Sequence, residues 1–430
     1  MSFSTAALLR SRAPGAHSMG ALPRAPRSRP AGGETALVLP DRDIHIPQVL
    51  RMLLLVWILW LAPAGAQPLV PLPAQPNGVP WPSTAWPEGP LPHEHDPAAL
   101  EAALDDLFVT TGRGGLPDTR ALLVVHRGRV VVERYAPGFD RESRFHSWSM
   151  GKSVTQAMVG ILVREGALAV DEPAPLPAWA EPDDPRGGLT LRHLLHMNTG
   201  FDNADGGDGA DTFVGRLLFG EGSADMATAA AGVPLAHDPG THWAYSTGTS
   251  ALLGAIVSRS TGAERDATRD WLEKELLDPL GIQSLVAETD LTGQLVGGSH
   301  VWATARDWAR LGLLYLRDGL WEGRRILPAG WVDFTRTRAP ASNNGTYGAH
   351  FWINETPEEK QFKPVPGAPS SVFQMSGNGG QYVLLVPGRD LVVVRLGEMH
   401  ALDWPSLGKK IGALVSGFPE IAGSARGVLP

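Results

Sequence analysis

Residues 147–153 read SWSMGKS, two serines beside a glycine and a lysine. Taken as Ser147-x-Ser149-x-Gly151, the run nearly spells the Gly-x-Ser-x-Gly turn that carries a nucleophile on a parallel α/β sheet. Taken as Ser149-x-x-Lys152, it sets an amine one helical turn from a hydroxyl. The first reading fails at Ser147, because that strained turn needs glycine there. The second agrees with the residues after Lys152. Met158, Ile161 and Leu162 recur at helical spacing, Arg164 falls in a last turn and Gly166 stops the run. Ser149 is expected at or near a helix start, where free N–H groups and the helix dipole favour a developing oxyanion. An amine held in a partly desolvated cleft has a lowered pKa and can take the hydroxyl proton. The plain structural alternative is a Ser149 N-cap and a solvated Lys152.

The strands on either side of this helix choose between the folds. ALLVVHRGRVVVERY, Ala121 to Tyr135, holds two β-rich runs around Arg127-Gly128 and predicts a hairpin. QYVLLVPGRDLVVVRLG, Gln381 to Gly397, predicts another, turning at Pro387 to Asp390, and YGAHFWIN before it is a further strand candidate. The stretch between is mostly helical in pattern. The expected fold is therefore α/β of the α+β type: an antiparallel sheet built from both chain ends, flanked by helices, with a mostly helical inserted domain. The βαβα alternation of a doubly wound sheet is missing.

The chain has 430 residues, 43% of them hydrophobic, and a formal net charge of −8. An acidic chain with no basic stripe in its folded part argues against nucleic acid as a partner. With no cysteine, disulfides, thiolate metal sites and a Cys nucleophile are excluded. MLLLVWILWLAPAGAQ, Met52 to Gln67, comes after Arg51 and ends its short apolar core in Ala64-Gly65-Ala66, a signal-peptidase pattern. The core is too short to span a bilayer comfortably. Residues 52–66 are read as a signal peptide cut after Ala66, giving a periplasmic or secreted protein without a stable membrane span in its mature form. Residues 1–51, rich in Arg, Pro, Ala and Ser, are read as a non-native or disordered extension. Residues 67–95 are a Pro-rich tether or surface strap, and 96–425 the folded domain, with its helical subdomain at about 167–290. Asp96 is the expected N-cap of the first helix and Pro97 its N1 residue.

Further motifs lie along this domain. LTLRHLLHMNTGF (Leu189 to Phe201), DPGTHWAYSTG with Tyr245, the helical GGSHVWATARDWARLGLLYLRDGLWEGRRIL and MSGNGGQYVLLVPGRDLVVV come after Ser149-x-x-Lys152 in order. In this order the chain resembles the serine β-lactamase and penicillin-binding-protein superfamily, in particular its class C-like branch with esterases and 6-aminohexanoate-dimer hydrolases. The resemblance covers residues 98–420. It implies Ser149 as the acylated nucleophile, Lys152 as its base or the base's partner, and Tyr245 as proton relay. It implies an oxyanion hole from the backbone N–H groups of Ser149 and Asn378, beside Ser376 and Gly377.

Two positions depart from the pattern. The second motif, usually Tyr-x-Asn, is Tyr245-Ser246-Thr247, and the third, usually Lys-Thr-Gly or His-Thr-Gly, is Met375-Ser376-Gly377. Methionine carries no charge, so the cation that would hold a substrate carboxylate is gone. That favours esters or amides without such a carboxylate over β-lactams. With Lys152 the one cation that the matching motifs supply, Lys152 and Tyr245 are expected to titrate as a coupled pair, and which is the first base stays open.

The remaining candidates have plainer readings. DNADGGDGAD, Asp202 to Asp211, fails the EF-hand spacing and reads as a flexible loop near the cleft. His193 and His196 read as packing or capping residues, and His146 as pointing away from Ser149. Trp148 and Trp243 are candidates for lining an acyl pocket. The expected protein is a serine hydrolase, a carboxylesterase or amidase, needing no metal or other cofactor and acting on a small-molecule ester or amide. A β-lactamase or D,D-peptidase, or a non-catalytic peptidoglycan- or peptide-binding protein on the same scaffold, are the alternatives.

Overall fold

The computed structural model describes residues 69–92, 96–109, 118–206, 209–263, 265–342, 345–355, 363–399 and 403–421. The expected extension and signal peptide lie outside these residues. A six-stranded main sheet is built from β1 (Thr119–His126), β2 (Arg129–Tyr135), β3 (Trp352–Ile353), β4 (Phe373–Gly377), β5 (Gln381–Val386) and β6 (Leu391–Gly397). Their order is β2-β1-β6-β5-β4-β3, and every neighbouring pair is antiparallel. The two hairpins meet along β1 and β6, with His126 opposite Leu391 and Thr119 opposite Gly397. The sheet is thus closed by residues from both ends of the domain. Of YGAHFWIN only Trp352–Ile353 is strand. His350 has a φ of 55° and Tyr347 bridges back to Trp352, so the first half of that stretch is a turn.

The runs ALLVV and LVVVRL are apolar throughout because both faces of the sheet are covered. Leu122, Val124, Leu384 and Val393 point to one side, where they pack with α1 (Pro97–Leu107) and α5 (Trp404–Ser416). Leu123, Val125, Val383 and Val394 point to the other, into the larger core with α2 (Gly151–Arg164) and α4 (Ala305–Leu316). Successive strand residues serve opposite layers, as the pleat requires. Helix α4 comes close to the sheet at Gly312, where a Cβ would lie 2.7 Å from a methyl of Val383 and 2.9 Å from one of Val392. Asp96 caps α1 by accepting from the N–H of Ala98 at 2.9 Å, and Leu100, Leu104 and Leu107 form its buried stripe.

Between α2 and α4 the chain is mainly helical and includes α3 (Thr247–Ser260), which lies against α2. Residues 69–92 run along the body as a strap. Its carbonyls at Val70, Pro73 and Pro82 accept from Arg336, Arg317 and Arg310, and Trp86 is buried with its indole N–H on the carbonyl of Arg306. Among the described residues no helix is long and apolar enough to cross a membrane.

Candidate active site

A 3₁₀ turn, Trp148–Met150, leads directly into α2. Ser147 anchors it from below: its N–H donates to the Val301 carbonyl at 2.7 Å, and its Oγ accepts from the Val301 N–H at 3.1 Å. Ser147 is thus structural, and Ser149 faces the cleft. Lys152, one turn on, is 1% exposed. Its Nζ donates to Ser149 Oγ at 3.1 Å, to Thr247 Oγ1 at 2.8 Å and to the Gly298 carbonyl at 3.0 Å. All three ammonium donors are placed. Burial pushes the lysine down to about 8, against the opposing pull of the Asp205 carboxylate.

The second wall starts at the N-terminus of α3. Ser246 is its N-cap, accepting from the N–H of Thr249 at 3.3 Å, which sets Tyr245 just before the helix and Thr247 in its first turn. Tyr245 lines the cleft together with Ser149, whose hydroxyl acts on the phenol electrostatically, and its ring lies 4.9 Å from Lys152 Nζ. Burial raises the Tyr245 pKa, with the Ser149 hydroxyl opposing. Thr247 occupies the position of the missing amide and offers Lys152 its hydroxyl oxygen instead. That hydroxyl donates onward to Asp205 Oδ2, while the Thr247 N–H reaches Asp205 Oδ1 at 2.8 Å. Sequence reasoning passed over Asp205, which lies in the DNADGGDGAD loop and is tied in by its own N–H on the Tyr245 carbonyl at 2.6 Å.

The third wall is the end of β4. Gly377 passes so close to the Ser147 carbonyl that a Cβ there would collide with it. The next turn, Asn378–Gly380, is pinned from behind: Gln381 Nε2 donates to the Asn378 carbonyl at 3.1 Å, and Arg395 Nη1 donates to the carbonyls of Gly379 and Gly380, each at 2.8 Å. The guanidinium of Arg395 is buried among these carbonyls. Met375 faces the core and is fully buried. The three walls enclose a cleft of about 740 Å³. Ser149, Trp148, Tyr245, Ser376, Gly377 and Asn378 all line it. Trp243 does not; it packs against the rings of Tyr245, Tyr347 and Trp352, one layer behind the surface. Trp352 itself takes the lining position, as does Trp404. Asp205 is the one charged side chain among the described residues lining the cleft.

The beta-lactamase family model matches residues 117–397, from the first strand of the sheet to the last. The chain belongs to the beta-lactamase family. Within it, the 6-aminohexanoate-dimer hydrolase of Paenarthrobacter ureafaciens is 28% identical over 310 residues, 67% of this chain and 73% of that one. A Bacillus anthracis structure provisionally assigned as a 6-aminohexanoate-dimer hydrolase superposes with a TM-score of 0.59 at 20% identity, covering 78% of this chain and 89% of that one. EstCE1, a hydrolase with promiscuous acyltransferase activity, does so with a TM-score of 0.55 at 18% identity, covering 74% and 97%. The structural likeness establishes the β-lactamase fold, and the family and its relatives make the chain a hydrolase of that fold.

In this beta-lactamase family member His193, His196 and His146 make their contacts outside the Ser149 network. His193 completes a capping box with Thr190, and His196 packs its ring on Phe334 with centroids 4.8 Å apart. His146 is engaged by the rings of Trp148, His300 and Trp302. Among the described residues no group of three or more His, Cys, Asp or Glu side chains is placed to hold a metal ion.

Proposed function

We propose that this protein is an exported serine hydrolase that opens an ester or amide bond through an acyl-enzyme on Ser149. The observation that carries the proposal is the buried Lys152 amine, 3.1 Å from the Ser149 hydroxyl and lowered to about 8 by desolvation. Neutral Lys152 takes the Ser149 proton as Oγ forms its bond to the substrate carbonyl carbon. The oxyanion that results turns to the N–H groups of Ser149 and Asn378. As the carbonyl reforms, the bond to the alkoxide or amine leaving group breaks, and that group receives a proton from Tyr245. The raised pKa of the phenol supports this order, with Tyr245 protonated at rest and Lys152 as first base. The proton on Lys152 returns to Tyr245 across the short path between them. Water then adds to the acyl group and loses its proton to the same pair, which passes it to Ser149 Oγ as the acyl–oxygen bond breaks and the acid leaves.

The cleft's electrostatics favour substrates without a carboxylate. Its lining offers Asp205 and no lysine, arginine or histidine among the described residues, and Met375 leaves the third motif uncharged. Export rests on the apolar stretch Met52 to Gln67. The test is turnover of short-chain p-nitrophenyl esters beside nitrocefin, with the Ser149→Ala protein as control. Ester turnover exceeding nitrocefin turnover, with both hydrolysis and fluorophosphonate labelling lost in Ser149→Ala, is the expected result. Nitrocefin outpacing every ester would give the site to β-lactams, and turnover surviving Ser149→Ala would remove the nucleophile.

A further inference from the structure

Outside the cleft, three short strands carry one outward row of side chains. Phe145–His146 pairs with Val301–Ala303, which pairs with Val286–Ala287, all antiparallel. His146 stands opposite Trp302, and Trp302 opposite Val286, so the three share a face. Their neighbours Phe145, Val301 and Ala303 turn inward and are buried. The outward row is open to solvent, with Trp302 36% and Val286 45% exposed. Trp302 donates its indole N–H to Glu288 Oε1 at 2.6 Å, which directs its single donor sideways and leaves the ring face apolar.

This row runs into the cleft without a break. The His146 ring lies 4.8 Å from Trp302 and 4.7 Å from Trp148, centroid to centroid. Trp148 in turn meets Phe219 edge-on at 6.3 Å, and Phe219 is 64% exposed. Trp148 and Phe219 line the cleft, and Trp148 is the residue before Ser149. Burial, with His300 beside it, holds His146 down at about 4, so its ring is uncharged at neutral pH. Two bulky residues on this path hold left-handed backbones, Trp148 at φ 46° and His300 at φ 57°. Such conformations are costly for large side chains and gather at binding sites. The strain falls at Trp148, the inner end of the row, and at His300 beside it, and a row continuous with the cleft is more than scattered surface apolarity.

We propose that Val286, Trp302, His146 and Trp148, with Phe219 opposite, form an outer apolar subsite that holds the distal part of an extended alkyl chain on the substrate. Across three strands it adds about 10 Å of apolar track beyond the cleft. The substrate class is therefore an ester or amide bearing a medium to long unbranched chain, which rests on the hydrolase reading of Ser149.

The test compares p-nitrophenyl palmitate, whose acyl chain is long enough to reach Val286 from Ser149, with p-nitrophenyl acetate in the wild type, Trp302→Ala and Val286→Asp. The wild type should favour palmitate in kcat/KM. The palmitate-to-acetate ratio should fall at least about tenfold in each variant, the contact of roughly two buried methylenes. A ratio that stays put in both variants overturns the subsite. Binding of p-nitrophenyl palmitate to the Ser149→Ala protein, measured by calorimetry, reads the track without turnover. Chain-length-dependent binding that Trp302→Ala weakens would uphold the track even if the wild type hydrolysed no ester, a result that would count against the hydrolase reading alone. Equal binding of acetate and palmitate esters would overturn the track and leave that reading standing.

Discussion

Replacing Lys152 with methionine should make folding stability respond differently to pH, in a direction set by the burial of the amine. The lysine sits at about 8 in the folded protein against an ordinary 10.5. Below pH 8 both states carry the proton, and the folded state holds a charge that water would hold more easily. Between pH 8 and 10.5 the unfolded chain binds more protons than the folded one, so stability from this group rises with pH. Above 10.5 the handicap is gone. The gap between the two values corresponds to about 3 kcal/mol. Methionine also strips the donor from Thr247 Oγ1 and the Gly298 carbonyl, but that loss is nearly the same at every pH. The assay is urea unfolding of both proteins at pH 7 and pH 10.5. The wild type should gain about 3 kcal/mol on the variant between the two. Parallel pH curves would show that Lys152 does not release its proton early, and the proposed base would lose its physical basis.

Two more outcomes are expected at the same site. Asp205→Asn removes the charge that holds the lysine proton, so the acid limb of kcat/KM should move to lower pH by about one unit, given a carboxylate roughly 5 Å from the ammonium. A limb that stays or rises would sever Asp205 from the network. Gly377→Ala drives a methyl into the Ser147 carbonyl and displaces β4 from the nucleophile turn, so kcat should drop by about a hundredfold or more; unchanged kcat would mean that the two segments can part freely.

The fold was readable because its signals are local and redundant. The two hairpins announce themselves in β-branched runs around Arg127-Gly128 and Pro387 to Asp390, and α2 in its apolar spacing and the glycine after it. Ser149, Lys152 and Tyr245 were readable as an interacting trio, but the Thr247–Asp205 connection behind them was not. The amide missing after Tyr245 reads as a loss in the sequence, whereas in three dimensions the Thr247 hydroxyl takes the lysine's hydrogen bond and hands on to Asp205. No periodicity encodes that step, since it depends on a loop of Asp and Gly returning 40 residues before Tyr245 to pair with its carbonyl. Trp243 was misplaced for a related reason. Proximity to a motif does not say which of several adjacent aromatic rings turns toward the cavity, and Trp352, more than 100 residues on, took that place.

The seam between β1 and β6 joins Thr119 to Gly397, so the middle of the sheet is missing until almost the whole domain has been synthesised. Contacts this distant along the chain are slow to form and leave strand edges bare in the meantime. A ribosome-bound fragment lacking the final hairpin therefore has no finished scaffold to lock into. A polypeptide with that habit stays pliable until the end of its synthesis, and its two halves become one sheet only in the last step.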